Sequence, residues 1–151
     1  PDLKYYSDDL AVRLSNAPGY FRQALQTIRA MFDQVGHCCF DSGGMVSRGV
    51  LIRHLALPGQ ARDSRKILQA MREHFGPDIW FSLMNQFTPQ LGAAAFPELQ
   101  RALTANEYDD LIDFALSLGL DNGFIQEEGA SSGEFIPKFN LDGVTVKGGR
   151  P

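Results

Sequence analysis

Two stretches of the chain are apolar almost without interruption: Val50-Leu51-Ile52-Arg53-His54-Leu55-Ala56-Leu57 and Ile79-Trp80-Phe81-Ser82-Leu83-Met84. A strand with one wet face alternates apolar and polar residues. A near-continuous apolar run belongs instead to a strand covered on both faces, as in parallel sheets. Between the two runs, Asp63 opens a segment with Ile67, Leu68, Met71 and Phe75 on one helical face, and Gly76-Pro77 breaks it. Strand, amphipathic helix, strand is the repeating unit of an α/β fold.

The rest of the chain extends this pattern. Pro1–Tyr6 suits a short strand, and Ser7-Asp8-Asp9 is placed to cap a brief helix through Leu14. Asn16 is read as the N-cap of a second helix, with Pro18 in its first turn. Its stripe is Phe21, Leu25, Ile28, Met31, Phe32 and Val35, and Gly36 ends it. His37–Val46 reads as a hairpin around the turn Asp41-Ser42-Gly43-Gly44. Thr104 and Glu107 have capping-box spacing ahead of Tyr108, Leu111, Ile112, Ala115 and Leu116. Phe124-Ile125-Gln126 is the last expected strand. About four parallel strands alternating with helices fit half of an eight-stranded β/α barrel or a small open sheet. The boundary falls after residue 126: 1–126 form the folded unit, and 127–151, rich in Gly, Ser and polar residues, form a C-terminal extension wrapped over it.

Composition narrows the partners. With 14 basic and 18 acidic side chains the net charge is −4, which argues against nucleic acid, because phosphate binding needs a basic face. Arg62, Arg65 and Lys66 lie close together and are read as a solvated helix face. No apolar run is long enough to span a bilayer. The two cysteines, Cys38 and Cys39, are adjacent, so no disulfide framework is possible and a cytoplasmic setting is expected.

Candidate site residues stand at strand ends and inside strands. Asp2 and Lys4 are two apart and share a face, which an exposed salt bridge explains. Arg53, inside an apolar strand, needs a carboxylate partner or an anionic ligand, and the two readings weigh equally. His54, on the opposite face, is read as a structural histidine. Asn85, Gln86 and Thr88 follow the second strand and suit a turn cap or a contact to a ribose or base. Gln126 and Glu127 end the last strand. There is no G-x-S-x-G elbow, Walker loop or H-E-x-x-H.

Six strings come in a familiar order: Pro1-Asp2-Leu3-Lys4-Tyr5-Tyr6, Leu14-Ser15-Asn16-Ala17-Pro18, Ile52-Arg53-His54-Leu55-Ala56-Leu57-Pro58-Gly59, Ser82-Leu83-Met84-Asn85-Gln86-Phe87-Thr88-Pro89, Leu118-Gly119-Leu120-Asp121-Asn122-Gly123-Phe124 and Phe135-Ile136-Pro137. Together they resemble radical S-adenosylmethionine (SAM) proteins related to pyruvate formate-lyase activating enzyme, of the PflX-type branch. The resemblance implies the C-terminal half of a partial, TIM-like β/α barrel. It implies a parent enzyme, an oxidoreductase or activating enzyme, that holds a 4Fe–4S cluster and reductively cleaves SAM to a 5′-deoxyadenosyl radical. It also implies the partners: the N-terminal half of the barrel, and a glycyl radical enzyme or peptide substrate. Asp2 and Lys4 would reach the SAM neighbourhood, Arg53 would contact SAM, and Gln86 would stand near its ribose. The family's Cys-x3-Cys-x2-Cys loop is absent from these residues, so no metal ligand and no catalytic residue is assigned. The chain alone is expected to be an inactive fragment. The rival expectation is a non-catalytic α/β interaction module or degenerate remnant, which would expose apolar strand edges and tend to associate.

Overall fold

The computed structural model describes residues 1–89 and 95–125. Helix α1 spans Asp8–Ser15 and α2 spans Tyr20–Val35. Strands β1 (Cys39–Phe40) and β2 (Val46–Arg48) form an antiparallel ribbon. Then follow β3 (Leu51–Leu55), α3 (Ala61–Phe75), β4 (Trp80–Met84), a short 3-10 turn at Pro97–Gln100, α4 (Ala105–Ser117) and β5 (Gly123–Ile125). The strands β3, β4 and β5 lie in that order, all parallel.

The first six residues do not make a full strand. Asp2 bridges Arg53 in parallel, with the Leu3 N–H donating to the Arg53 carbonyl (2.9 Å) and the Arg53 N–H to the Pro1 carbonyl (2.8 Å). The segment therefore lies beside β3 and drops Leu3 into the core, fully buried. Each step moves one place along the sheet and returns through helices on the same side. Ile28 of α2, Ile67, Leu68 and Met71 of α3, and Tyr108 and Leu111 of α4 share one core with Leu3, Ile52, Phe81 and Leu83. Gly123 is needed at its register position: a Cβ there would come within 2.7 Å of the Phe81 ring.

This corrects the barrel expectation. The described strands form two separate sheets, one of two strands and one of three, and neither closes on itself. The chain is not half of a TIM-like barrel. It is a small α/β unit with a singly wound open sheet. The apolar runs were a good guide to parallel pairing, but parallel pairing is shared by open and closed sheets and does not distinguish them.

Local signals fared unevenly. Ser7 caps α1 by accepting from the Leu10 N–H at 3.3 Å, and Thr104 with Glu107 makes a complete capping box on α4. Asn16 does not start α2. It ends α1 in the left-handed conformation (φ 48°), a role asparagine tolerates, and Gly19 precedes α2 instead. The boundary after residue 126 and the extension 127–151, with Gln126 and Glu127, lie outside the described residues. Among the described residues no helix is long and apolar enough to cross a membrane.

Candidate functional site

With α2, α3 and α4 packed on one side, the sheet's other face is defined by register. Asp2, Arg53, Ser82 and Phe124 are neighbours across four adjacent segments and form one row on that face. Leu51 and Trp80 form the row before it, and Leu55 and Met84 the row after it. The intervening residues Ile52, His54, Phe81 and Leu83 point to the helices and are buried. Among the described residues no helix packs on the Arg53 face.

One end of the row is charged. The Arg53 guanidinium donates to Asp2 Oδ1 through Nε and Nη2, both at 2.7 Å. Lys4 Nζ stands 3.8 Å from Asp2 Oδ2. Arg53 is thus not an interior cation. Its side chain is 53% exposed and its carboxylate partner comes from the chain's first residues. The predicted Asp2–Lys4 salt bridge is present. Tyr20 braces the same segment: its hydroxyl accepts from the Lys4 N–H (2.9 Å) and donates to the Asp2 carbonyl (3.2 Å). Burial is the largest influence on that phenol and raises its pKa. Asp2, Lys4 and Arg53 are therefore brought together. Gln86, half-buried two residues past Met84, stands beyond the end of the ladder and outside the row.

The other end is aromatic. Trp80 lies between Phe40 of the ribbon (centroids 4.5 Å apart) and Phe124 of β5 (5.3 Å). Phe40 is 37% and Phe124 47% exposed, unlike the buried Phe81 one position away. Sequence reasoning missed this cluster. Cys38-Cys39-Phe40 reads as a stretch of small apolar strand residues, and nothing local says that the ribbon folds back onto β4.

His54 and Ser64 need weighing as chemistry, since a serine beside a histidine can be a nucleophile. His54 Nδ1 is 2.8 Å from the Leu3 carbonyl, which only accepts, so Nδ1 carries the proton and Nε2 accepts from the Ser64 hydroxyl at 2.9 Å. No carboxylate orients the ring. His54 is 1% and Ser64 2% exposed, so no substrate reaches them. The pair joins β3 to α3 and to the first residues, as a structural histidine does.

The cofactor expectations are overturned. Among the described residues no group of three or more His, Cys, Asp or Glu side chains could hold a metal ion. The two thiols are adjacent, and Cys38 donates to the Val50 carbonyl (3.3 Å). Neither a 4Fe–4S site nor a SAM site built on one has a basis in these residues. The radical SAM reading fails with it, together with its oxidoreductase or activating activity, as does the assignment of the chain to a PflX-like protein. The resemblance rested on short strings such as Leu-Pro-Gly and Thr-Pro, whose turn chemistry is shared by many α/β units. No family model, no curated protein and no solved structure matches the chain.

Proposed function

We propose that the chain is a non-catalytic α/β interaction module that associates with a second copy of itself through the sheet face on which no described helix packs. The observation that carries this reading is the exposed Phe40–Trp80–Phe124 cluster on that face. Parallel sheets are normally covered on both faces, and aromatic side chains are the usual anchors of protein interfaces. The occupant is argued from charge. An isologous contact requires a patch that complements itself. The charged end carries both signs, Asp2 beside Arg53 and Lys4, so it can meet its own copy without a forced like-charge pairing. The aromatic end meets its own copy equally well.

Sedimentation velocity over a range of protein concentrations tests this. Wild type is expected to dimerise, Phe124→Glu to weaken association by about tenfold or more, and Val12→Glu, on the exposed side of α1, to leave it unchanged. A wild type that stays monomeric, or a dimer indifferent to Phe124→Glu, removes the proposal.

A further inference from the structure

A second feature lies away from the open face and is independent of it. A cavity of about 490 Å³ opens between α1 and the first two turns of α3, at the end of the sheet where the strands finish. In open α/β sheets ligands bind outside the carboxyl ends of the strands, most often at a switch in strand order; the described strands here run in sequence order, so the cavity shares the end but not the switch. Arg13 enters it from α1, and Arg62 and Lys66 enter it from α3, with Asp9 and Asp63 as its acids.

Three cations and two carboxylates line the cavity, and Glu98 at the rim pairs with one of the cations, Arg13, which leaves Arg62 and Lys66 as the cations without a carboxylate in an ion pair among the described residues. Asp63 is buried and its oxygens are taken: Oδ2 accepts from the Tyr6 N–H at 2.9 Å and Oδ1 from the Ser7 N–H at 2.8 Å. Arg13 is ion-paired with Glu98 and lies over the Phe96 ring, which fixes its position at the rim. Lys66 stands over the Tyr6 ring, with Nζ 5.0 Å from the centroid. Arg62 and Lys66 are one turn apart on the same side of α3, where like charges repel. Arg62 also sits in the first turn of the helix, where the helix dipole disfavours cations. Arg65 adds a third cation to the same stretch. Asp63 is the one acid of that first turn. Sequences break such local rules where function requires it.

We propose that this cavity binds a small, polar, phosphorylated molecule, with the Arg62 guanidinium and the Lys66 ammonium gripping the phosphate oxygens and Arg13 facing them from α1. Guanidinium forks match phosphate geometry, and lysine supplies a point charge. Leu10 is the apolar residue among the described lining residues, and none of these is an aromatic ring that could stack a base; Tyr6 and Phe96 are already covered by Lys66 and Arg13. The ligand is therefore a phosphorylated sugar or acid rather than a nucleotide.

The probe is inorganic pyrophosphate, titrated into the full chain and followed by calorimetry and by amide shifts in NMR. Saturable binding is expected, with amide shifts confined to α1 and the start of α3. Arg62→Ala/Lys66→Ala should weaken it by about tenfold or more, and Arg22→Ala, on α2, should not. Because the double variant removes like-charge repulsion, it is also expected to melt no lower than wild type, which separates lost binding from lost fold. Shifts that never saturate, equal weakening by Arg22→Ala, or a double variant that binds as wild type does would each overturn the proposal.

Discussion

Arg53 and Asp2 are separated by 51 positions, and they are joined by two guanidinium nitrogens on one carboxylate oxygen, each at 2.7 Å. The pair fixes the first residues beside β3 at the charged end of the open row. Both side chains are well exposed, so water and salt screen the pair. Arg53→Ala is expected to cost only about 0.2–1 kcal/mol. Its clearer effect is local: the Leu3 amide, which donates to the Arg53 carbonyl, should exchange faster with deuterium while the β4 amides keep their protection. Unchanged exchange at Leu3 would mean that the backbone bridge, Tyr20, His54 and Asp63 hold the segment without the ion pair.

His54 gives the fold a pH dependence. Burial pushes the imidazole below its ordinary range, against smaller opposing effects of the Leu3 carbonyl and Asp63. In the unfolded chain a histidine binds its proton near pH 6.5, whereas the folded chain binds it only at lower pH. Between those values the unfolded state carries more protons, so stability falls as pH falls through that window and is complete above it. Urea melts from about pH 7.5 down to about pH 5 measure the slope. His54→Asn should flatten it, and a slope unchanged in the variant would assign it to another group.

Glu107 is a junction as well as a capping residue. It accepts from both Arg101 terminal nitrogens (2.6 and 2.8 Å), from the Thr104 N–H (3.1 Å) and from the Gly59 N–H (3.0 Å). Arg101 is the foremost reason that its carboxyl is held well below the usual carboxylate range. Thr104→Ala removes the cap bond from the Glu107 N–H and the hydroxyl's bond to Glu107 Oε2 and should cost about 1 kcal/mol. Glu107→Gln, which also loses the Arg101 pair, should cost more. Thermal melts that rank the two the other way round would deny Glu107 its wider role.

Gly49 controls whether the aromatic cluster forms. Its φ is 123°, and a Cβ there would lie 2.3 Å from the Cys38 Cα. Gly49→Ala should displace the ribbon and strip Phe40 from Trp80, at a cost of about 1–3 kcal/mol. Trp80 is the only tryptophan, so its emission reports the event directly. A red shift is expected, and an unchanged spectrum would show that Phe40 reaches Trp80 without that turn.

What was legible in the sequence was whatever is encoded within a few residues. Val50–Leu57 and Ile79–Met84 announced parallel strands, and Thr104 with Glu107 announced a helix start. Asn16 was misread because the same amide serves at either end of a helix, and only the φ of the chain decides. The surroundings of Arg53 were half legible. Alternation put it opposite His54, but whether it was covered depended on which side the helices return, and its partner Asp2 lies far away in sequence. The Phe40–Trp80 contact was invisible because a ribbon of two short strands carries no periodicity that says where it folds. The chemistry of Arg53 and Gln86 allowed an anion and a ribose as readily as a carboxylate partner and a turn cap, and gathering them with Asp2 and Lys4 around one cofactor depended on the resemblance. Three of the four do meet, as an ion cluster.

The Asp63 carboxylate, which takes the N–H groups of both Tyr6 and Ser7, has a consequence for the order of events during synthesis. Leu3, Tyr6 and Ser7 leave the ribosome well before His54, Asp63 and Ser64, the residues that receive them. Until β3 has been made, the opening segment has only Tyr20 to close against, and until α3 follows, the Tyr6 and Ser7 N–H groups lack their acceptor and Leu3 lacks much of its cover. Contacts of such long sequence separation form slowly, and exposed apolar surface invites aggregation meanwhile. Residues 3–7 are thus made well before the partners that secure them, and conditions that stall translation between β3 and α3 should leave the nascent chain prone to misassociate.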